Sequence, residues 1–165
     1  IIGCRDVKRG QEAADQLNDD ERVKGNGKVV FKQLDLASFE SIRKFVDETN
    51  REEDAIDILV NNAGLYTETK QLTKDHLEMQ FSVNHFGPFL LTLLLLDKLN
   101  KSKSIARIIN ASSVLYFLGK ILFDDINSEN NYNGSAVYNH TKLANILFTR
   151  ELARDFMEQT SEFML

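Results

Sequence analysis

Residues 56–64, Ile-Asp-Ile-Leu-Val-Asn-Asn-Ala-Gly, decide the fold, because a compact apolar run ends there in a glycine-containing turn. A short apolar run of this kind is typical of a buried β-strand, and Gly64 permits a turn that other residues resist. The end of a strand at 1–6 and the β-rich runs at 28–34 and 105–111 show the same pattern. The sequence therefore predicts four strands.

Segments with helical periodicity separate these strands. Helices are predicted over 7–18, after the capping residue Ser38, over 73–99 with an interruption near Pro88, and over 136–156. Strands that alternate with helices and are apolar throughout predict a parallel sheet with helices on both faces. The expected fold class is therefore α/β, with a Rossmann-like, doubly wound sheet.

Length and composition narrow the class of protein. The 165 residues suffice for one domain, 1–165, and 42% hydrophobic with 27% charged residues is typical of globular proteins. The net charge is −5 and the basic residues are scattered, which argues against nucleic acid as a partner. The single cysteine, Cys4, cannot form an internal disulfide, so we expect an intracellular compartment. The apolar run 86–96 is too short to span a bilayer and is predicted to be a buried helix.

Polar side chains stand where the predicted strands end. Arg5, Asp35, Asn62 and Ser113 each follow the carboxyl end of a strand. Ligands of parallel sheets bind beyond that edge, so the four positions indicate one binding region. Taken alone, Asp35-Leu36 and Asn61-Asn62-Ala63-Gly64 are equally well explained as the ordinary ends of strands, and Ser113 is better explained as an ordinary loop serine.

Tyr138 and Lys142 form the pair with the clearest chemistry. Four residues apart on a predicted helix, they share one face, so the Lys142 ammonium can stabilise negative charge on the Tyr138 oxygen. Such a pair both donates and accepts a proton. Together with the Ser113 hydroxyl and the turn at 61–64, it predicts a hydride-transfer site.

Two other kinds of polar residue are less decisive. Asn84 lies within an apolar helix, where a buried amide must find partners or cost stability. It is either a satisfied core residue or a polar relay that faces the site. His76, His85 and His140 stand at no spacing that indicates a metal site or a hydrolytic triad, so no metal is predicted.

Read in order, these motifs resemble the short-chain dehydrogenase/reductase family. The matching residues are Asn61-Asn62-Ala63-Gly64, Asn84, Asn110-Ala111-Ser112-Ser113 and Tyr138-x-x-x-Lys142. They extend over nearly the whole chain. The phrases at 3–6, 83–92 and 142–148 look like the retinol dehydrogenase branch of that family. The separation of 25 positions between Ser113 and Tyr138 is similar to that branch as well.

The resemblance implies a role for each matching residue. Tyr138 would protonate the carbonyl oxygen in reduction, Lys142 would stabilise the phenolate and bind the nicotinamide ribose, and Ser113 would hold the substrate oxygen. Asn84 would complete a water-linked proton relay behind Lys142. The other cofactor contacts implied by the resemblance lie at strand ends: Asp35, Leu36, Asn62, Ala63 and Gly64.

Arg5 indicates which cofactor is used. Where an acidic residue would bind the ribose 2′-hydroxyl of NAD, this strand end carries Cys4 and Arg5. A guanidinium binds phosphate through two parallel hydrogen bonds, so NADP(H) is the expected cofactor. The alternative is an arginine that simply begins a surface helix.

The resemblance also implies parts that these residues do not contain. The first strand and the glycine-rich turn that holds the pyrophosphate would precede Ile1, and the last strands and substrate loop would follow the Tyr138 helix. We therefore expect a partial sheet from an NADP(H)-dependent reductase of a lipophilic aldehyde or ketone. Retinal and retinol are the leading pair, and a steroid or another lipophilic alcohol is the alternative.

A non-catalytic hypothesis stands beside this one. A truncated, inactive chain with an unpaired sheet edge would act by associating with a full-length relative, because such edges pair with other chains. The resemblance leaves open a homo-oligomer, a cytoplasmic or endoplasmic-reticulum location, and membrane attachment through a segment outside these residues.

Overall fold

The computed structural model describes the backbone of residues 1–162 and the side chains of residues 1–156. The elements in chain order are β1 (Ile2–Cys4), α1 (Val7–Asp19), β2 (Phe31–Gln33), α2 (Phe39–Glu52), β3 (Ile58–Asn61), α3 (Met79–Phe81), a π-helical turn (Ser82–Phe86), α4 (Gly87–Leu99), β4 (Arg107–Asn110) and α5 (Gly134–Glu162). Two short 3₁₀ turns, Val114–Leu118 and Phe123–Asp125, lie between β4 and α5. The predicted alternation of strands and helices is confirmed.

The four strands form two parallel pairs. In one pair Ile2 of β1 stands opposite Phe31 of β2, and in the other Ile58 of β3 stands opposite Arg107 of β4. Within residues 1–162 the two pairs are not hydrogen-bonded to each other. The partial parallel sheet that the sequence predicts is therefore present in two pieces.

The core lies on one face of the sheet, where α2 and α4 pack together. Its buried apolar members are Ile42, Phe45, Val46, Leu91, Leu95 and Leu99. Ser38 caps α2 as predicted, because its Oγ accepts a hydrogen bond of 3.1 Å from the Ser41 N–H. The apolar run 86–96 is thus a core helix. By length and composition alone, Met79–Leu99 also qualifies as a membrane-spanning helix, although half of its apolar stretch is buried within the protein.

Helices lie on both faces of the sheet, but the second face is covered unevenly. α1 covers β1 and β2, with the Gly10 backbone against the Phe31 ring. On β3 and β4 the corresponding face carries Ile58, Val60 and Ile109, which are 53%, 56% and 48% exposed. Apolar strands predict cover on both sides, but residues 1–162 leave this face open.

The long helix predicted over 73–99 begins later than expected. A turn forms first, in which the His76 N–H donates to the Thr73 carbonyl and His76 itself adopts a positive φ of 58°. Glu78 then accepts hydrogen bonds from the N–H groups of the next turn and starts the helix at Met79. At 73–77 the polar residues therefore form a hydrogen-bonded turn in place of the first part of the predicted helix.

The interruption predicted near Pro88 is a π-helical turn. The Gly87 N–H bonds to the Ser82 carbonyl, five residues back, in place of the usual four. Pro88 follows at the start of α4, where its missing N–H costs little. The wider turn places Asn84 at its centre, and π-helical turns are frequent at functional sites.

Candidate active site

Tyr138 and Lys142 lie in one cleft with the turn that follows β3. The cleft has a volume of about 700 Å³ and is lined by Asn62, Gly64, Leu65, Tyr66, Ala111, Ser112, Leu115, Leu118, Ser135, Tyr138, Asn139 and Lys142. The structure therefore brings the predicted pair on α5 to the carboxyl ends of β3 and β4. This is the edge of a parallel sheet at which ligands bind.

Lys142 is buried beside the Tyr138 ring. Its Nζ lies 5.5 Å from the ring centroid and donates a hydrogen bond of 3.2 Å to the Ala111 carbonyl oxygen. Lys142 is only 4% exposed, and this burial lowers the pKa of its ammonium. The ammonium therefore lies over the face of the Tyr138 ring, and it keeps further N–H groups for a ligand.

Gly64 leaves room for this ammonium. A Cβ at Gly64 would stand 3.3 Å from Asn84 Oδ1 and 3.5 Å from Lys142 Nζ. Gly64 and its neighbours Asn62 and Ala63 are exposed, so a ligand can approach their backbone. A larger side chain at Gly64 would crowd the space between the turn and Lys142.

Asn84 fixes the turn after β3 by hydrogen bonds to its backbone. Its Oδ1 accepts a hydrogen bond of 2.7 Å from the Leu65 N–H, and its Nδ2 donates to the Leu65 carbonyl at 2.9 Å and to Thr141 Oγ1 at 3.2 Å. The side chain is fully buried and fixes the turn's backbone. Through its hydrogen bonds to Leu65 and Thr141, Asn84 connects the turn to α5. A proton relay through Asn84 stays a prediction.

The two serines after β4 have different partners. Ser113 is half-buried and its Oγ accepts a 3.3 Å hydrogen bond from the Leu115 N–H, which caps the following 3₁₀ turn. Ser112 lines the Tyr138 cleft, and its Oγ donates to the Lys142 carbonyl at 2.9 Å. Ser113 follows it directly in the chain but does not line the cleft, and its role in binding substrate stays a prediction.

The six predicted cofactor contacts outside α5 line a second cleft. It has a volume of about 780 Å³ and its lining includes Arg5, Asp35, Leu36, Asn62, Ala63 and Gly64. Because Asn62 and Gly64 also line the Tyr138 cleft, the two clefts adjoin. They form one continuous surface from the end of β1 to α5.

The side chain of Arg5 is available to a ligand. Arg5 is exposed, and among the described side chains it forms no ion pair. Asp35, close by, is engaged locally, since its Oδ1 accepts a 2.9 Å hydrogen bond from the Ala37 N–H. Among the residues with described side chains, no group of three His, Cys, Asp or Glu is arranged to hold a metal.

Sequence reasoning missed Tyr66, which lies in the same cleft. Its ring meets the Tyr138 ring edge to face, with the centroids 6.3 Å apart, and its hydroxyl lies 3.3 Å from Ser135 Oγ. Tyr66 belongs to an irregular segment, where no periodicity predicts which way a side chain points. A tyrosine two positions after the glycine of the turn was the only available signal.

Comparison with known proteins agrees with this geometry. The family model described as short chain dehydrogenase matches residues 1–160. The chain is 51% identical to human retinol dehydrogenase 14 over 164 residues, 46% identical to human retinol dehydrogenase 13 over 155, and 44% identical to mouse retinol dehydrogenase 12 over 153. Each match covers 93% of this chain and 46–48% of the relative. The chain thus spans about half the length of the curated relatives it matches.

Solved structures show the same fold. An uncharacterised protein from Mycobacterium paratuberculosis is 33% identical with a TM-score of 0.79, over 96% of this chain and 53% of that one. An NADPH-bound carbonyl reductase from chicken fatty liver is 25% identical with a TM-score of 0.66, over 94% of this chain and 62% of that one. The chain belongs to the short-chain dehydrogenase/reductase family of oxidoreductases and is similar to its retinol dehydrogenases.

Proposed function

We propose that this protein is an NADP(H)-dependent oxidoreductase that transfers a hydride between the nicotinamide and the carbonyl carbon of a lipophilic aldehyde or ketone. Retinal and retinol are the leading substrate pair. The observation that carries this proposal is the buried Lys142 ammonium beside the Tyr138 ring. The pair stands in a cleft that adjoins the one lined by Arg5.

The residues of the adjoining clefts fit a phosphorylated dinucleotide. The exposed backbone at Gly64 and its small neighbour Ala63 admits a flat group, and a Cβ at Gly64 would begin to fill that space. The Arg5 guanidinium, which forms no ion pair with the side chains of residues 1–156, offers parallel N–H donors to a phosphate. NADP(H), when bound, supplies or accepts the hydride. Arg5, Asp35, Leu36, Asn62, Ala63 and Gly64 would hold its adenosine half, and Lys142 would hold its nicotinamide ribose.

The protein's own residues handle the proton. In reduction, the Tyr138 hydroxyl donates its proton to the substrate oxygen as the carbonyl carbon gains the hydride, and in oxidation the Tyr138 oxygen takes the proton back. Lys142 stabilises the resulting phenolate from a buried position, where charge interactions are stronger than in water. Ser113 would donate to the same substrate oxygen and orient the carbonyl.

Apolar side chains beside the pair favour a lipophilic substrate. Tyr66, Leu115 and Leu118 line the Tyr138 cleft, and the neighbouring Val114 and Phe117 are exposed. Burial of hydrocarbon against such a wall is favourable by about 25 cal/mol for each Å² removed from water. The names of the retinol dehydrogenase relatives agree with this substrate class. A steroid or another lipophilic alcohol would fit against the same apolar wall of the cleft.

Tyr138→Phe tests the assignment of the proton donor. The substitution removes the hydroxyl and keeps the ring, so the packing against Tyr66 is retained. We expect turnover of retinal with NADPH to fall by about 10²–10⁴-fold, the usual contribution of general acid–base catalysis. The rate is measured by chromatographic detection of retinol. A rate near that of the unaltered protein would remove Tyr138 from the mechanism.

A second candidate function is non-catalytic association with a longer relative. The observation in its favour is the open apolar face formed by Ile58, Val60 and Ile109 on β3 and β4, since exposed apolar patches frequently mark interaction sites. Binding of NADPH separates the two candidates. An oxidoreductase quenches or shifts NADPH fluorescence on binding, whereas a chain that acts only by association leaves it unchanged.

A further inference from the structure

Two phrases similar to the retinol dehydrogenases meet behind the candidate site, in a contact between side chains with no role assigned above. His85 follows Asn84 in the π-helical turn, and Asn145 lies one turn beyond Lys142 on α5. The His85 Nδ1 lies 3.0 Å from the Asn145 Oδ1, although the two residues are 60 positions apart in the chain. The contact therefore joins the element that carries Asn84 to the element that carries Lys142.

The Asn145 carboxamide also donates hydrogen bonds to two backbone carbonyl groups, and Lys142 binds one of these two as well. Its Nδ2 donates to the Asn84 carbonyl at 3.0 Å and to the Ala111 carbonyl at 3.1 Å. The Ala111 oxygen is the same atom that accepts the hydrogen bond from Lys142 Nζ at 3.2 Å. Asn145 is 6% exposed, so its three bonds form in a place where an unmade bond is costly.

These contacts fix the orientation of both side chains. Two carbonyl oxygens accept from one end of the Asn145 carboxamide, so that end is the NH₂ group and the oxygen faces His85. His85 must therefore carry its proton on Nδ1. Burial lowers the pKa of His85, against a smaller opposing effect of the Asn145 hydrogen bond, so the ring is neutral at physiological pH.

The surroundings hold the His85 ring in place. Aromatic rings stand at centroid distances of 5.5–6.4 Å from it: Phe81, Phe86, Phe89 and Phe148. Such packing leaves the imidazole little freedom to rotate. The ring consequently directs one N–H at the oxygen of Asn145 and keeps the carboxamide turned toward the two carbonyls.

We propose that Asn145, oriented by His85, is a positioning residue for Lys142. It holds the Ala111 carbonyl from one side while the Lys142 ammonium binds it from the other, and so keeps the ammonium beside Tyr138. This inference rests on the proposed function only for the catalytic purpose of that placement. The placement itself is a property of the folded protein and is testable without turnover.

The first test needs no substitution. The imidazole nitrogens of the ¹⁵N-histidine-labelled protein are observed by NMR at about pH 7.5, with His85→Phe used to assign the His85 signals. We expect the neutral tautomer protonated on Nδ1, as the Asn145 oxygen requires. A tautomer protonated on Nε2 would overturn the proposal, because the carboxamide would then be turned away from Ala111.

The second test follows the pKa of Lys142 in ¹³C-lysine-labelled protein, with Lys142→Arg used for assignment. Asn145→Ala removes the donor and leaves space that water enters, so the better hydrated ammonium should titrate at a higher pH. His85→Phe should shift it in the same direction by less. Thr149→Val is the matched control, since it removes hydrogen bonds one turn further along α5, to Asn110 and to the Asn145 carbonyl. A Lys142 pKa unchanged in Asn145→Ala, or shifted equally in Thr149→Val, would overturn the proposal.

Turnover then separates this inference from the proposed function. In an active protein we expect Asn145→Ala to lower kcat by about tenfold and to raise the KM for NADPH by a smaller factor, because the displaced Lys142 ammonium would serve both Tyr138 and the nicotinamide ribose. Absence of hydride transfer in the unaltered protein would refute the proposed function, while the titration would still decide the role of Asn145. If Asn145→Ala does not fold, the His85→Phe titration and the tautomer decide it.

Discussion

Lys142 carries its charge where few water molecules reach it, and this is the feature on which the chemistry depends. A buried ammonium costs free energy unless partners replace its hydration. Here the Ala111 carbonyl and the face of the Tyr138 ring supply part of that replacement. The remaining capacity of the ammonium is directed into the cleft. The proposed function requires a developing phenolate on Tyr138, and a neighbouring buried cation is suited to stabilise it.

The proposed preference for NADP(H) depends on one exposed residue, Arg5. Arg5→Glu replaces a phosphate-binding group with one that repels phosphate and accepts hydrogen bonds from a ribose hydroxyl. We expect the KM for NADPH to rise by more than the KM for NADH, measured by initial rates with each cofactor. Lys8→Glu is a charge-matched control on the first turn of α1. An unchanged ratio of the two KM values would refute the assignment of Arg5.

His85 makes folding sensitive to acid. Burial lowers its pKa below the usual 6.5, so the unfolded chain takes up the proton at a higher pH than the folded protein does. The contribution of His85 to the free energy of unfolding is therefore fully present above about pH 6.5. It is lost as the pH drops below that value toward the folded-state pKa. In His85→Phe, the loss of unfolding free energy between about pH 7 and pH 5 should be smaller.

Urea unfolding at the two pH values measures this difference. His140, whose pKa is also lowered by burial, is present in both proteins, so its contribution cancels. An equal loss of stability in the two proteins would show that His85 is not held neutral by its surroundings.

At the scale of elements, the start of α4 lies against Leu36, in the turn that follows β2. A Cβ at Gly87 would stand 2.5 Å from the Leu36 carbonyl oxygen and 3.0 Å from the Leu36 Cβ. Alanine improves helix propensity by about 1 kcal/mol, but overpacking against a backbone atom costs about 1–3 kcal/mol. The clash is with backbone, which moves only with the whole element, so the cost should exceed the gain.

We expect Gly87→Ala to destabilise the protein by up to about 2 kcal/mol, measured by urea unfolding. Gly27→Ala is the control, because nothing lies within 4 Å of its Cβ position and its φ is not positive. That variant should have unchanged stability or be more stable by about 0.4–1 kcal/mol, because alanine lowers the conformational entropy of the unfolded chain. Equal effects at the two positions would contradict a close approach of α4 to Leu36.

The elements were predictable to the extent that local pattern determines them. Hydrophobic periodicity predicted α1 and α2 closely, and Ser38 predicted the start of α2. Periodicity could not predict the π-helical turn at 82–86, because five residues are too few to separate a wider turn from an ordinary one. It also placed the start of α5 at Ala136, whereas the helix begins at Gly134, since helix ends are the least certain part of such a pattern.

At the scale of the whole molecule, the candidate site follows from topology. Arg5, Asp35 and Asn62, three of the predicted residues at strand ends, line two adjoining clefts because parallel strands bring their carboxyl ends to one edge, whereas Ser113 lines neither. The contact of His85 with Asn145 was not predictable in this way. It joins residues 60 positions apart, and nothing in the local sequence of either shows which buried polar groups will meet.

The two pieces of sheet give the molecule an uneven surface. One face of β3 and β4 carries exposed apolar side chains, while α1 covers the equivalent face of β1 and β2. The cleft between the pieces is lined by apolar strand residues and by Arg5 and Asp35, which follow β1 and β2. The Arg5 guanidinium in this cleft suits a phosphate, and the adjoining cleft carries Tyr138 and Lys142, which is the whole-molecule support for the proposed use of NADP(H).

Transfer of deuterium is the measurement that tests the central claim most directly. The natural protein containing this sequence is incubated with retinal and NADPH deuterated at the transferable C4 position, and the product is analysed by mass spectrometry. We predict retinol carrying one deuterium, formed faster with NADPH than with NADH and slowed by about 10²–10⁴-fold in Tyr138→Phe. Binding of NADPH without any deuterated alcohol, or equal transfer by Tyr138→Phe, would contradict the assignment of Tyr138 and Lys142 as a hydride-transfer site.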